Sequence, residues 1–352
     1  MTMEPGTRYI KPELVRKFVV DLFGQYGLSR RDATMLADNL IDADIRGVTT
    51  HGLTRIPSYI GKIEAGLCDP KAQPNVIRSM PATAVIDAKN CMGQVSGTIA
   101  MELAIDMAEK YGIGFVGVRN GCHYGTAGYY AMMAERKGMI GVSTTNSGVF
   151  VAPYGGIEAR LGTNPVAVAL PAKKHLPILL DMATSRVARG KILVSMKKGE
   201  AIPADWALDI NGNVTTNSVD AFNGILLPLS YKGYGMAVVI DMLTGVLMGS
   251  GYGNQVDLPA AFPLVGSNFL AIKTEAFCEI DEFTSKVDAL IDEIKNVKRD
   301  AETECVYMPG EIEFNIEREN MEKGGVPVQP FQIKELDLLA QKNGLKIQDY
   351  FG

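Results

Sequence analysis

Residues Gly112-Ile113-Gly114-Phe115-Val116-Gly117 spell GxGxxG, and their surroundings restrict the fold more than the letters do. A dinucleotide-binding turn of that spelling needs a strand before it and a helix after it, so that free helix amides meet the pyrophosphate. Here the order is reversed. Val95 to Lys110 repeats apolar residues at helical spacing, and Ile113 to Val118 is a short apolar run of strand type. Gly112 therefore reads as the glycine that closes a helix. The motif is rejected as a nucleotide fingerprint, although strands and helices do alternate around it.

The apolar period changes once along the chain. Leu14, Val15, Phe18, Val19 and Leu22 share one helical face after Pro12, and Gly27 ends the run. Ser29 reads as the N-cap of a second helix, whose buried stripe is Ala33, Leu36, Ala37, Leu40, Ala43 and Ile45. A third helix is expected to start within Thr50-His51-Gly52-Leu53-Thr54-Arg55 and to run to about Ala65. Residues 1–78 thus read as a helical unit. From about Met80 strand-like runs appear, at Ala84 to Asp87, Ile113 to Val118, Met139 to Val142, Val166 to Leu170, Ile178 to Leu180, Phe269 to Ile272 and Val306 to Glu311. Helical patterns fall between them, at Val95 to Lys110, Tyr129 to Arg136, Ser185 to Met196, Met236 to Met248 (opened by Tyr231 to Gly235) and Phe283 to Val297. Phe331 to Asn343 makes a last amphipathic helix. The fold class is α/β, of the α+β kind.

Composition removes several kinds of function. At 352 residues the chain is long enough for two domains. The net charge is −5, and no basic stripe interleaved with aromatics is present, so nucleic acid is not an expected partner. The five cysteines form no CxxC pair, which fits a reduced, intracellular protein. Met1 to Lys11 lacks the apolar core of a secretory signal, and no apolar run reaches the length of a membrane span. The expected location is the cytoplasm, without membrane partners.

Only three histidines are present, His51, His123 and His175, and two of them sit in glycine-flanked turns. His123 lies between a strand and a helix, in Gly121-Cys122-His123-Tyr124-Gly125. It reads either as a turn histidine satisfied by backbone or as a general acid/base, since imidazole titrates near working pH. His51 has the same two readings. Arg55, four residues on, reads as a surface charge or as a carboxylate clamp. His175 lies in a Lys-rich connector and reads as solvated surface. The three share no metal-ligand spacing, so no metal is expected. No GxSxG elbow is present, and Thr50 and Ser147 read as hydrogen-bond donors. Asp181-Met182-Ala183-Thr184 ends an apolar strand, which suits an N-cap or a ribose- or phosphate-binding turn. Lys232 before Gly233 reads as a solvated charge or a phosphate contact.

Thr50-His51-Gly52 with Arg55, Gly121 through Ala131, Leu161-Gly162-Thr163-Asn164-Pro165, Asp181-Met182-Ala183-Thr184 and Lys232-Gly233-Tyr234-Gly235 occur in this order. The set resembles the malate/L-sulfolactate/ureidoglycolate dehydrogenase family, also called type-2 malate/lactate dehydrogenases, from about Pro12 to the C-terminus. The resemblance implies an NAD- or NADP-dependent oxidoreductase of non-Rossmann fold. It implies a helical domain from both chain ends, residues 1–78 completed by 312–352, and a central mixed-sheet α/β cofactor domain, residues 79–311. It also implies a homodimer with the site in a cleft between domains. The family's cofactor contacts would fall on Ser147, Asp181, Met182, Ala183, Thr184, Lys232, Gly233, Gly310 and Glu311.

The resemblance further implies hydride exchange with the C2 of a 2-oxo/2-hydroxy acid of the malate, sulfolactate, lactate or ureidoglycolate type. His123 would move the proton, while His51 and Arg55 hold the substrate. The alternative is reduction of a cyclic imine, Δ1-piperideine- or pyrroline-2-carboxylate. Two departures from the family pattern stand out. Thr50 replaces a common Ser and keeps the hydroxyl, and Gly148 replaces an Asp that in some relatives can pair with the histidine.

Overall fold

Ser29 accepts a hydrogen bond from the Asp32 backbone N–H at 3.1 Å and starts a helix where its sequence position calls for one. The computed structural model describes residues 5–256 and 263–352; the first four residues of the Met1 to Lys11 segment lie outside the described residues. The N-terminal part contains β1 (Arg8–Ile10), α1 (Pro12–Gln25), α2 (Arg30–Ile45) and α3 (Ile56–Glu64). The middle runs β2 (Asn75–Met80), β3 (Thr83–Asp87), α4 (Gly93–Tyr111), β4 (Ile113–Gly121), α5 (Ala127–Glu135), β5 (Met139–Thr145), β6 (Val166–Leu170) and β7 (Ile178–Met182). Then come α6 (Arg189–Lys198), β8 (Ala207–Leu208), α7 (Ser218–Asn223), β9 (Ile225–Leu226), α8 (Ser230–Asp241) and a π-type turn at Met242–Val246. The chain closes with β10 (Val265–Lys273), α9 (Ile280–Lys295), α10 (Glu311–Glu322), β11 (Val326–Val328), α11 (Pro330–Lys342) and α12 (Gln348–Phe351).

Seven strands form one mixed sheet in the order β2-β3-β4-β10-β5-β6-β7. Only β3 and β4 run parallel, and every other pair is antiparallel. That topology is unlike the doubly wound parallel sheet that the GxGxxG spelling would require. Gly112 caps α4 in the left-handed region, at φ 83°, and leads into β4, as its sequence context predicts. The chain ends meet. β1 pairs antiparallel with β11, and Phe18 of α1 packs its ring 5.2 Å from Phe351. One contiguous apolar core joins the helical unit to the sheet, while Val151, Ile192, Ala207, Leu226 and Ala237 belong to a second, smaller core.

Three local expectations are corrected. Val306 to Glu311 is expected as a strand ending in a turn; the turn is present but the strand is not, because the Met308 N–H goes to the Glu311 carboxylate and the Glu311 N–H to the Met308 carbonyl. The helix expected from Ser185 starts only at Arg189. The Arg186 N–H pairs with the Leu227 carbonyl, and Ser185 Oγ bonds the Val187 carbonyl, which holds that stretch extended. The third helix starts within the expected stretch, as a 3-10 turn at Leu53–Arg55 that continues into α3. The helix expected to open in Tyr231 to Gly235 begins beside it, at Ser230, but it does not run regularly to Met248 and loosens into the π-type turn after Asp241. β2 and α10 carried no usable period; β2 is exposed along its whole length, so its side chains do not alternate.

Candidate active site

Two loops and the start of a helix meet at a cleft of about 660 Å³, within the usual range for ligand sites. α2 positions both histidine loops from below. Its Asp44 is fully buried and accepts the Leu53 N–H at 2.7 Å, which pins the turn that holds His51. A Cβ at Gly52 would stand 2.0 Å from the Asp44 carboxyl carbon, so this turn admits only glycine. Five residues earlier on α2, buried Asn39 lies against Gly125, where a Cβ would sit 1.9 Å from its side-chain oxygen and φ is +85°. The rings of His51 and His123 then stack with centroids 5.6 Å apart and planes at 24°. Arg55 lines the same cleft, its guanidinium 5.9 Å from the Tyr59 ring, and its buried Nε has no hydrogen-bond partner.

The two imidazoles are held differently. His51 Nδ1 meets the Thr50 hydroxyl at 2.9 Å. His123 Nδ1 meets the Tyr59 hydroxyl at 2.9 Å and accepts the Gly125 N–H at 3.3 Å. Gln94 Nε2 in turn donates to Tyr59 Oη at 2.9 Å, which leaves the Tyr59 proton for His123. This bonding assigns the neutral His123 its proton on Nε2. Burial, then the Arg55 charge, pushes His51 down to about 4. Burial, then Arg55, His51 and Lys62, holds His123 well below the usual histidine range. Both rings are therefore neutral at pH 7, and Arg55 is in no ion pair among the described residues. Gly148 lines the cleft without a side chain to offer, and the place of a carboxylate at His123 Nδ1 is taken by Tyr59.

The opposite wall is acidic and hydroxyl-rich. Asp181, at the end of β7, accepts the Gly128 N–H of α5 at 2.8 Å. Burial pushes its carboxyl up to about 6, with the charges of Asp42 and Glu313 adding and the Gly128 bond opposing. Ser147 Oγ accepts the Thr163 N–H at 3.0 Å and lies 3.2 Å from the Thr163 hydroxyl. Met182, Ala183 and Gly310 also line the cleft. Thr126, the residue before α5, has a buried hydroxyl without a partner. A nicotinamide dinucleotide needs acceptors for ribose hydroxyls and donors for phosphate oxygens, and this wall offers both, so the residues fit the group. Four of the residues named for it from sequence do not line the cleft. Thr184 is buried and donates to the Thr163 carbonyl, and buried Gly233 packs behind it. Lys232 is exposed, and Glu311 is paired with Lys295. His175 pairs with Asp292 at 2.9 Å, remote from the other two histidines in its contacts. Among the described residues no cluster of His, Cys, Asp or Glu could hold a metal ion.

Tyr59, Lys62, Gln94, Asp44 and Asn39 were not legible as site residues. A signal existed for two of them. Tyr59 and Lys62 follow Arg55 by four and seven residues, one helical face. Nothing in the sequence brings Gln94, at the start of α4, to Tyr59.

The malate/L-lactate dehydrogenase family model matches residues 10–337. A malate dehydrogenase of Pyrococcus abyssi is 42% identical over 97% of this chain and 97% of its own. An L-sulfolactate dehydrogenase of Methanocaldococcus jannaschii is 41% identical over 97% of this chain and 99% of its own. The solved sulfolactate dehydrogenase from the same organism superposes with a TM-score of 0.89 at 40% identity, covering 97% of this chain and 99% of that one. A ureidoglycolate dehydrogenase (NAD(+)) of Escherichia coli K12 is 33% identical over 86% of this chain and 87% of its own. A Δ1-piperideine-2-carboxylate reductase from Pseudomonas syringae shares the fold with a TM-score of 0.86 at 26% identity, covering 95% of this chain and 100% of that one.

Proposed function

Because the chain belongs to the malate/L-lactate dehydrogenase family, we propose that His51, Arg55 and His123 are the groups that bind and protonate its substrate. The activity is that of an oxidoreductase acting on the CH–OH group of a 2-hydroxy acid. The nicotinamide cofactor supplies or accepts the hydride at the substrate's C2. The rest falls to the chain. Arg55 holds the carboxylate through paired hydrogen bonds, and its buried Nε has no partner among the described residues. The arriving carboxylate offsets the cation that depresses both histidines, so each ring gains basicity as the substrate binds. With substrate bound, His123 takes a second proton on Nδ1 and, as imidazolium, donates its Nε2 proton to the carbonyl oxygen in reduction, which leaves the neutral ring with Nδ1–H; in oxidation that tautomer accepts the alcohol proton on Nε2. When the ring is protonated Nδ1 is itself a donor, so the Tyr59 hydroxyl turns to accept and the Gly125 contact is given up. His51, fixed by Thr50, faces the same substrate oxygen from the stacked ring.

The observation that carries this reading is the stacked histidine pair beside an arginine that is in no ion pair among the described residues. In steady-state assays with oxaloacetate and NADH, His123→Ala is expected to lose about 10²–10⁴-fold in kcat while still binding NADH. Wild-type turnover in that variant removes His123 from the proton-transfer step. The hydroxy-acid reading is preferred to the imine one because the relatives of higher identity are named for hydroxy acids.

For the cofactor, Ser147, Asp181, Met182, Ala183 and Gly310 are the contacts that the cleft supports, with NAD as the form named in the Escherichia coli relative. Lys232, Gly233, Thr184 and Glu311 act behind or outside this wall. A cytoplasmic location accords with five free cysteines. A homodimer accords with Met236, Val239, Leu243, Val246 and Leu247, exposed together along α8 and its π-type turn.

A further inference from the structure

The cleft is divided by charge. The charged groups that act on His123 are Arg55, His51 and Lys62, all cationic or able to become so. The wall around Asp181 holds Asp42 and Glu313. An organic acid is therefore drawn to the α3 end of the cleft, and the question is which cations there are uncommitted. Four line the cleft, Arg46, Arg55, Lys62 and Arg189. Arg46 is paired with Asp42 at 3.3 Å and Glu317 at 3.1 Å. Arg189 is stacked on Phe150 at 4.2 Å and Phe222 at 4.7 Å, and it donates to the Phe222 carbonyl. Among the described residues, Arg55 and Lys62 are in no ion pair.

These two share a helix face with Tyr59 between them. Seven residues at 1.5 Å each separate them by about 10 Å along the axis. Both side chains are long enough to converge across that gap. One guanidinium is sufficient for the C1 carboxylate of any 2-oxo acid, which leaves the ammonium without a task in a substrate that carries a single charge.

We infer that Lys62 binds a second anionic group at the far end of the substrate, a carboxylate or sulfonate, and so selects two-charge 2-oxo/2-hydroxy acids over single-charge ones such as lactate or pyruvate. The inference rests on the reaction proposed above for His51, Arg55 and His123. Lys62 is a binding and selectivity residue; it takes no part in the proton transfer.

The test compares oxaloacetate with pyruvate, each with NADH, in the wild type, Lys62→Gln and Lys62→Arg. Lys62→Gln is expected to lower the kcat/KM ratio of oxaloacetate to pyruvate by about 10–100-fold, the worth of one charge-assisted hydrogen bond. The loss should lie in KM for oxaloacetate, and Lys62→Arg should restore most of the ratio. Thermal unfolding of each variant separates misfolding, which lowers both activities together, from loss of selectivity. An unchanged ratio in Lys62→Gln, or a wild type that prefers pyruvate, overturns the role of Lys62 alone. A wild type that reduces neither acid overturns the parent reading and this inference together.

Discussion

At the scale of single residues, this cleft keeps two imidazoles neutral at acidic pH values where they would be protonated in water. The pH dependence of stability follows from that. The unfolded chain binds a proton at His51 below about 6.5, whereas the folded chain does so only near 4. The fold therefore keeps this contribution above pH 6.5 and loses it progressively down to about 4, by up to about 3 kcal/mol. Comparing Tm at pH 7 and pH 4.5, His51→Asn is expected to show a smaller acid loss than the wild type; equal losses in both would remove His51 as a cause. The same residue-scale reasoning explains what the sequence left open about His123. The turn-residue reading is visible in Nδ1, held by the Tyr59 hydroxyl and the Gly125 amide, and Nε2 is the nitrogen through which the proposed proton transfer would run.

At the scale of elements, α2 acts as the ruler of the site. Asn39 and Asp44 stand five residues apart on one buried helix, and each abuts a glycine of a different histidine loop. The helix itself was legible from its Ser29 cap and apolar stripe, but the polar residues within that stripe gave no sign of their targets. Burial pushes the Asp44 carboxyl up to about 8, against the Leu53 N–H bond that opposes it. A raised carboxyl pKa favours the fold fully below the unfolded value near 3.9, and that advantage is lost as pH rises toward 8. Asp44→Asn keeps an acceptor for Leu53 and removes the ionisation. Its Tm is expected to fall less than the wild type's between pH 6 and pH 9, and a parallel fall would mean that folded Asp44 is already ionised below pH 6. The misplaced elements have a common cause as well. Strands and helices at Ser185, Val306 and β2 are decided by hydrogen bonds or exposure that no local period reports.

At the scale of the whole molecule, a sheet that is antiparallel in all but one pairing carries the cleft on its edge, and both chain ends fold back to complete the helical side. The exposed apolar line from Met236 to Leu247 is expected to be covered by a second copy. Light scattering after size exclusion should give twice the 38.0 kDa chain mass for the wild type and a single chain for Val239→Asp/Leu243→Asp. A wild type of one chain mass disproves that interface. The sequence by itself determined the reversed setting of Gly112, the periods of α1, α2, α4, α9 and α11, the two glycine-flanked histidines and the ordered motifs that mark the family. These are readable because helix period, caps and left-handed glycines are local properties of a chain. Only the tertiary structure decided that Gln94 orients Tyr59, that α2 spaces the two imidazoles, that Lys232 is exposed and not among the residues lining the cleft, and that Lys62 lines it with Arg55, in no ion pair among the described residues. Those facts depend on which distant surfaces pack together, and packing among residues far apart in the chain leaves no period in the sequence.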